Sequence, residues 1–329
     1  MQNHRLQRRL CVALVLAPLI GAVVASAAGP RVNAAAPVRP FAWIADRDAD
    51  LLVAVDETLV PIATVAAPCP VRVRARRDGT AWCVLPRTCG VTGRHDLARA
   101  RVSGALGRVL ALAPVRDLEC LDGEDALALE GDWSDLATRL LRVDEHGAAR
   151  QIATWPGGTA VAGTARRVLL GTDGGEVVLF DSDATNGPPL ARAALGGEVG
   201  DIAPAPEGGW WVLDVTGGST LWRLDRDLRV LWHRALGGTV LDLAGDAQRE
   251  LAWLPRASDP WVLAVGEGGR TTHDLDLSAF GDLDRGDVLP DGGCLLAAAA
   301  FVLRLAPGGS ATLTQGGFDR ILDLSLTPP

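Results

Sequence analysis

Short runs of alternating apolar and polar residues, each closed by a cluster of Gly, Pro or Asp, fill the chain from about residue 41 onward. Period-two alternation of this kind reads as half-buried β-strands joined by tight turns. The runs recur in units of roughly 40 residues, the signature of a repeat architecture. The clearest unit spans Val199 to Leu236 and reads VGDIAPAP, EGG, WWVLDV, TGGS, TLWRLD, RD, LRVLWHRAL: four strands and three turns. Units of the same grammar cover 70–113, 115–155, 159–195, 240–277 and 284–316. Residues 41–67 supply only three strands, FAWIAD, LLVAVD and VPIATVA, while the C-terminal FDRILDLSLTPP reads as a lone strand. Joining the two ends completes a seventh unit and removes the open edges. The expectation is an all-β propeller of four-stranded antiparallel blades, seven in number, closed by the C-terminal strand against the N-terminal blade. Six or eight blades would follow if a weak unit such as 70–113 were divided differently. No segment beyond the N-terminal stretch sustains a helical period, which argues against a parallel α/β fold.

The first 27 residues follow another pattern. Arg5, Arg8 and Arg9 precede an apolar run from Leu10 to Ala25, and Ala25-Ser26-Ala27 fits a small-x-small cleavage site, so residues 1–27 read as a signal peptide. Pro18 and Gly21 interrupt a run too short for a comfortable membrane span. Residues 28–40 then form an N-terminal tail, and 41–329 a single propeller domain. Export to the periplasm or the extracellular space is expected, with no membrane attachment after cleavage. The remaining chain has five cysteines, Cys69, Cys83, Cys89, Cys120 and Cys294, an odd number that leaves at least one unpaired within a monomer. None has the C-x-x-C spacing of a zinc site.

Composition narrows the partners. The net charge is −8, with 32 basic residues, all arginine, against 40 acids, and losing the leader arginines makes the balance more acidic. That sign argues against nucleic acid or an anionic membrane as the main partner. A protein or small-molecule partner is expected, its identity and the oligomeric state left open.

The units resemble those of the NHL, YVTN and PQQ-like propeller superfamily. The likeness is carried by ARRDGTAWCV at 75–84, APEGGWWVLDVTGGSTLWRLD at 205–225, RDLRVLWHRALGG at 226–238 and LPDGGCLLAA at 289–298. It spans nearly the whole chain but is one of blade grammar, which marks fold rather than activity. The resemblance implies that fourth-to-first-strand connections and second-to-third-strand turns share one face, where ligands usually bind. Carried onto this sequence, that face holds Asp46, Arg47 and Asp48; Arg87, Arg94 and His95; Trp133; Asp173; Asp214; and Arg256 and Asp259. It also brings Cys69 and Cys89 together, and the pair is expected as a disulfide.

Candidate chemistry was weighed against simpler roles. Asp46-Arg47-Asp48-Ala49-Asp50 with Glu57 mimics a calcium loop, but Leu51 stands where the loop needs glycine and begins an apolar strand. Aligning the units puts Asp46 with Asp214 and Asp56 with Asp225, so these acids read as turn caps and no metal site is expected. Asp181–Gly187, DSDATNG, reads as a turn on the same grounds. The resemblance would allow a lactonase-like metal site with asparagine, yet Asn33 and Asn186 are placed in the tail and a turn. A lyase-like histidine could only be His95, because His146 falls in a turn and His233 and His273 on fourth strands. Quinoprotein-like vicinal cysteines are absent, and Trp82, Trp211, Trp222, Trp232 and Trp253 read as strand packing; no cofactor is expected. Finally, VRVRARR at 71–77 reads as a strand with one solvated face, with an anion-binding stripe along the channel as its alternative. The expected function is a binding or scaffold module; the alternative is a divergent lactonase-, lyase- or quinoprotein-like enzyme with its site at the central channel.

Overall fold

Seven four-stranded antiparallel sheets form the molecule. The computed structural model describes residues 39–89, 93–131, 137–256 and 261–329; the expected signal peptide and nearly all of the N-terminal tail lie outside them. In six of the sheets the strands run from the inner strand outward in sequence order, and neighbouring inner strands pack against one another around the ring. Blades 2 to 7 begin with inner strands Arg72–Ala75, Val115–Leu121, Gly158–Thr164, Val199–Pro204, Ala244–Gly245 and Leu283–Val288.

Blade 1 combines both ends of the sequence. Its inner strand is Ile321–Leu326, followed outward by Ala42–Asp46, Leu51–Val55 and Pro61–Ala66. Ala42 pairs with Leu326, Trp43 with Ser325 and Ile44 with Leu324, so the closure inferred from the missing strand is the closure observed. Asp46 fixes the approach to it, because its carboxylate accepts the backbone N–H of Asp319 at 3.0 Å and of Arg320 at 2.9 Å.

Local chemistry explains the turns. After the third strand, one carboxylate oxygen accepts two backbone N–H groups: Asp56 from Thr58 and Val60, Asp144 from His146 and Ala148, Asp225 from Asp227 and Arg229. The residue that closes this turn has left-handed backbone, and it is Gly147 in blade 3 and Gly309 in blade 7. In blades 1 and 5 it is Leu59 and Leu228, both buried. A left-handed leucine costs about 1–2 kcal/mol, and burying its side chain returns about 1.5–3 kcal/mol.

The core lies between blades. Trp43, Trp82, Trp211 and Trp253 each occupy the second position of a second strand and are fully buried. Three of them reach the next blade's first turn: Trp43 Nε1 donates to the Gly79 carbonyl at 3.1 Å, Trp82 to Glu124 at 2.8 Å and Trp253 to Gly292 at 3.2 Å. Cys69 and Cys89 form a disulfide across 20 residues, with a Cα–Cα distance of 5.9 Å. It ties the connection entering blade 2 to that blade's second-to-third-strand turn.

Two stability measurements follow from this architecture. Removing residues 318–329 strips blade 1 of its inner strand, and the truncated chain should melt at a lower temperature and less cooperatively; an unchanged melting curve would refute the closure's importance. Replacing both Cys69 and Cys89 with serine should cost about 3 kcal/mol in denaturant unfolding, the entropy expected for a loop of this size.

Candidate functional site

The inner strands of a closed ring present one edge of their pleat to the central channel. In five of them the register slips by one residue: between Val115 and Asp117, Gly158 and Ala160, Val199 and Asp201, Leu283 and Arg285, and opposite the Ile321–Asp323 segment. Such bulges re-aim the side chain that follows. Asp117, Asp201, Arg285 and Asp323 are the residues re-aimed, joined by Asp242 of blade 6 and Arg72 of blade 2. One step further along are Arg74, Glu119, Asp287 and Ser325.

Most of the acids do two jobs. Asp323 accepts the Val73 N–H at 2.9 Å and pairs with Arg74 at 2.7 Å. Asp117 accepts from Val161 at 2.9 Å and lies 3.9 Å from Arg72. Asp201 accepts from Leu243 at 3.0 Å, and Asp242 from Gly286 at 2.7 Å; Arg285 is ion-paired with both. Glu119 pairs with Arg74 at 3.3 Å. Asp287 accepts from Leu326 at 2.9 Å. In five of the seven blade junctions, then, a carboxylate of one inner strand takes an N–H of the next.

Burial sets the protonation of these groups. It pushes Asp287 up to about 7, against the opposing pull of the Leu326 N–H and of Arg74. It raises Glu119 as well, moderated by Arg74. Asp201 and Asp242 hydrogen-bond each other: burial and the neighbouring Asp242 charge raise Asp201 well above the carboxylate range, whereas Arg285 and the Asp201 proton overcome burial and hold Asp242 low. The two carboxyls are thus pushed in opposite directions, with the proton of the pair favoured on Asp201.

Two adjoining cavities occupy this region. The inner one, about 210 Å³, is bounded by Arg74, Asp201, Asp242, Arg285 and Asp323 on charged walls and by Gly163, Ala203 and Gly245 elsewhere. The outer vestibule, about 590 Å³, is lined by Phe41, Asp56, Glu57, Pro290, Leu326 and Pro328 among others. Glu119, Cys120, Asp287 and Ser325 border both, and this shared wall is the neck. The vestibule lies on the face of the first-to-second-strand turns.

The described residues among those proposed from the family resemblance lie on the opposite face, and none of them borders either cavity. Asp46 caps the closing connection, and Asp48 is exposed in the same turn. Arg87 and His95 do come together with Asp96: Arg87 pairs with Asp96 at 2.9 Å, while His95 Nδ1 accepts the Val115 N–H at 2.9 Å. Burial lowers the His95 pKa against the pull of Asp96. Asp173 is exposed in its turn, Asp214 accepts the Thr216 N–H at 2.8 Å, and Arg256 donates to the Leu236 carbonyl at 2.7 Å. Trp133 and Asp259 fall outside the described residues. Asp50, Cys69 and Cys89 are the one set among the described residues spaced for a metal, and both sulfurs are committed to the disulfide.

The arginine stripe needs correcting. Arg72 and Arg74 face channel carboxylates rather than solvent, and Arg76 is fully buried, bonded to the Glu124 carbonyl at 2.8 Å and to Asp78 at 2.9 Å. In an innermost strand the polar side of the alternation looks into the channel. The sequence does carry a signal for the acids: Val115-Arg-Asp117, Val199-Gly-Asp201, Val240-Leu-Asp242 and Ile321-Leu-Asp323 repeat an aliphatic-x-Asp pattern at four of the seven inner strands.

Solved structures of the same fold are numerous. A putative 6-phosphogluconolactonase from Bacteroides uniformis superposes with a TM-score of 0.67 at 12% identity, over 86% of this chain and 98% of that one. BamB from Moraxella catarrhalis gives 0.56 at 14% over 88% and 86%, and the dihydro-heme d1 dehydrogenase NirN gives 0.60 at 15% over 90% and 78%. These likenesses establish a seven-bladed propeller and, at such identities, the fold alone. No protein-family model and no curated protein matches the sequence.

The raised Asp287 gives a pH dependence with a definite sign. Its folded-state pKa lies above the unfolded value, so the folded protein holds the extra proton and this group's stabilisation fades as pH rises from about 4 to about 7. Denaturant midpoints across that range should fall more steeply with rising pH for the wild type than for Asp287→Asn; parallel curves would contradict it.

Proposed function

We propose that this chain is an exported propeller of the NHL, YVTN and PQQ-like kind that binds a small polar ligand in its central channel. The observation that carries the reading is the convergence of charged side chains from six blades on two adjoining cavities. Concave sites with a few converging polar groups are where small molecules bind. Export rests on the N-terminal leader pattern and on a disulfide, which persists in oxidising compartments. No helix among the described residues is long and apolar enough to cross a membrane.

Binding is favoured over catalysis because the channel groups are largely spent on structure: the acids hold amides of adjacent blades and the arginines neutralise them. Histidine, the commonest general base, does not border either cavity. The proton-sharing Asp201–Asp242 pair is the feature that favours the enzymatic alternative, since carboxyl groups with separated pKa values divide acid and base roles.

Thermal-shift screening of the purified protein against polar metabolites should yield stabilising compounds whose effect is weakened by Glu119→Gln at the neck. Hits indifferent to that substitution would place binding elsewhere. Stoichiometric calcium or a quinone absorbance in the purified protein would favour the enzymatic alternative.

A further inference from the structure

Asp287 is the exception among the channel acids. Asp117 is near Arg72, Glu119 and Asp323 share Arg74, and Asp201 and Asp242 share Arg285. No ion pair within 4.0 Å reaches Asp287 among the described residues. Its Oδ1 accepts the Val288 N–H at 2.8 Å and its Oδ2 the Leu326 N–H at 2.9 Å, which leaves each oxygen a further lone pair. It also borders both cavities, with Glu119 and Ser325 beside it at the neck.

A half-buried carboxylate with no counter-ion in contact carries a desolvation cost, and a cation beside it would offset that cost. The surroundings select the kind of cation. A metal ion would need several ligand atoms close together, and the channel acids are not so spaced among the described residues. An ammonium needs acceptors instead, and Asp287, with Glu119 and Ser325 in the same lining, offers them. Towards the vestibule the wall turns apolar at Phe41, Pro290 and Leu326, and Asp56 and Glu57 outnumber the one arginine of its lining, Arg39. Such a field favours the approach of a positive ligand.

We propose that the neck binds the primary ammonium group of a small alkyl amine, with Asp287 as its counter-ion and the hydrocarbon stem along Phe41, Pro290 and Leu326. This rests on the channel being the ligand site, as argued above. An amine held in this way binds only ionised Asp287. Because that group titrates at about 7, the apparent affinity should rise about tenfold between pH 6 and pH 8.

Isothermal titration of the full chain with n-butylamine, butyrate and n-butanol tests the proposal. Butylamine should bind with that pH dependence, the other two should not, and Asp287→Asn should weaken butylamine at least about tenfold, one pKa unit of coupling. Should the variant fail to fold, the carbon-13 shift of the Asp287 carboxyl in the wild type replaces it, and its titration should move to lower pH with saturating butylamine. Equal binding of butyrate or butanol, butylamine binding unaltered by Asp287→Asn, or an unmoved Asp287 titration would each overturn the proposal. Non-amine ligands weakened by Glu119→Gln but not by Asp287→Asn would refute the amine while sustaining the channel site. Ligands that respond to neither substitution would refute both.

Discussion

The ring depends on carboxylates that cross from one inner strand to the next. The strands of each blade pair by backbone hydrogen bonds, but between blades there is no continuous ladder, and packing alone does not fix how seven sheets meet. Asp323, Asp117, Asp201, Asp242 and Asp287 supply the missing direction by accepting an N–H from Val73, Val161, Leu243, Gly286 and Leu326. A hydrogen bond contributes about 0.5–1.5 kcal/mol net, or about 1.5–3 kcal/mol where the acceptor is charged, so five together are a sizeable share of the net stability of a domain, about 5–15 kcal/mol. Placing them costs desolvation, and the three arginines among them offset that cost for all but Asp287.

This arrangement makes scaffold and candidate site one set of residues. The channel is charged because the ring is stitched there, and its cavities inherit polar walls from that need. A substitution chosen to abolish binding will therefore also touch stability, which is why isosteric changes such as Glu119→Gln and Asp287→Asn are the informative ones. Most of the arginine–acid pairs sit at ordinary contact distance with both members engaged. A ligand competing for them would have to break a bond for each it forms. Asp287 asks no such exchange.

The architecture was legible because its determinants are local. Alternation, glycine turns and third-strand aspartates declare themselves within a few residues, and the absent first strand at residue 41 named its own partner in ILDLSL. Asp46-Arg47-Asp48-Ala49-Asp50 resolved into a turn by aligning Asp46 with Asp214, and both end second strands. The channel was not legible in the same way. Alternation along VRVRARR separates two sides of a strand but does not say whether the polar side meets bulk water or six other strands. That depends on ring closure, a property of the whole chain. The family resemblance directed attention to the opposite face, where side chains such as Asp46, His95 and Asp214 are bonded to backbone groups.

One junction shows why the channel has a directional wall. Blade 4 has Ala160 where Asp117 and Asp201 stand in its neighbours, and no carboxylate spans from it to blade 5. Thr159 Oγ1 instead donates to the Val199 carbonyl at 2.5 Å, a tie made from the residue before the alanine. Moving the tie one residue back frees the following positions from polar duty, and small residues fill them: Ala160 and Ala162 in the packed core, Gly163 at the cavity wall. A Cβ at Gly163 would approach Leu127 Cδ1 to 2.5 Å, so that wall admits no larger side chain without repacking. The inner cavity consequently has an uncharged arc beside its charged one. Ala203 and Gly245 of blades 5 and 6 extend that arc, so the cavity presents two unlike walls.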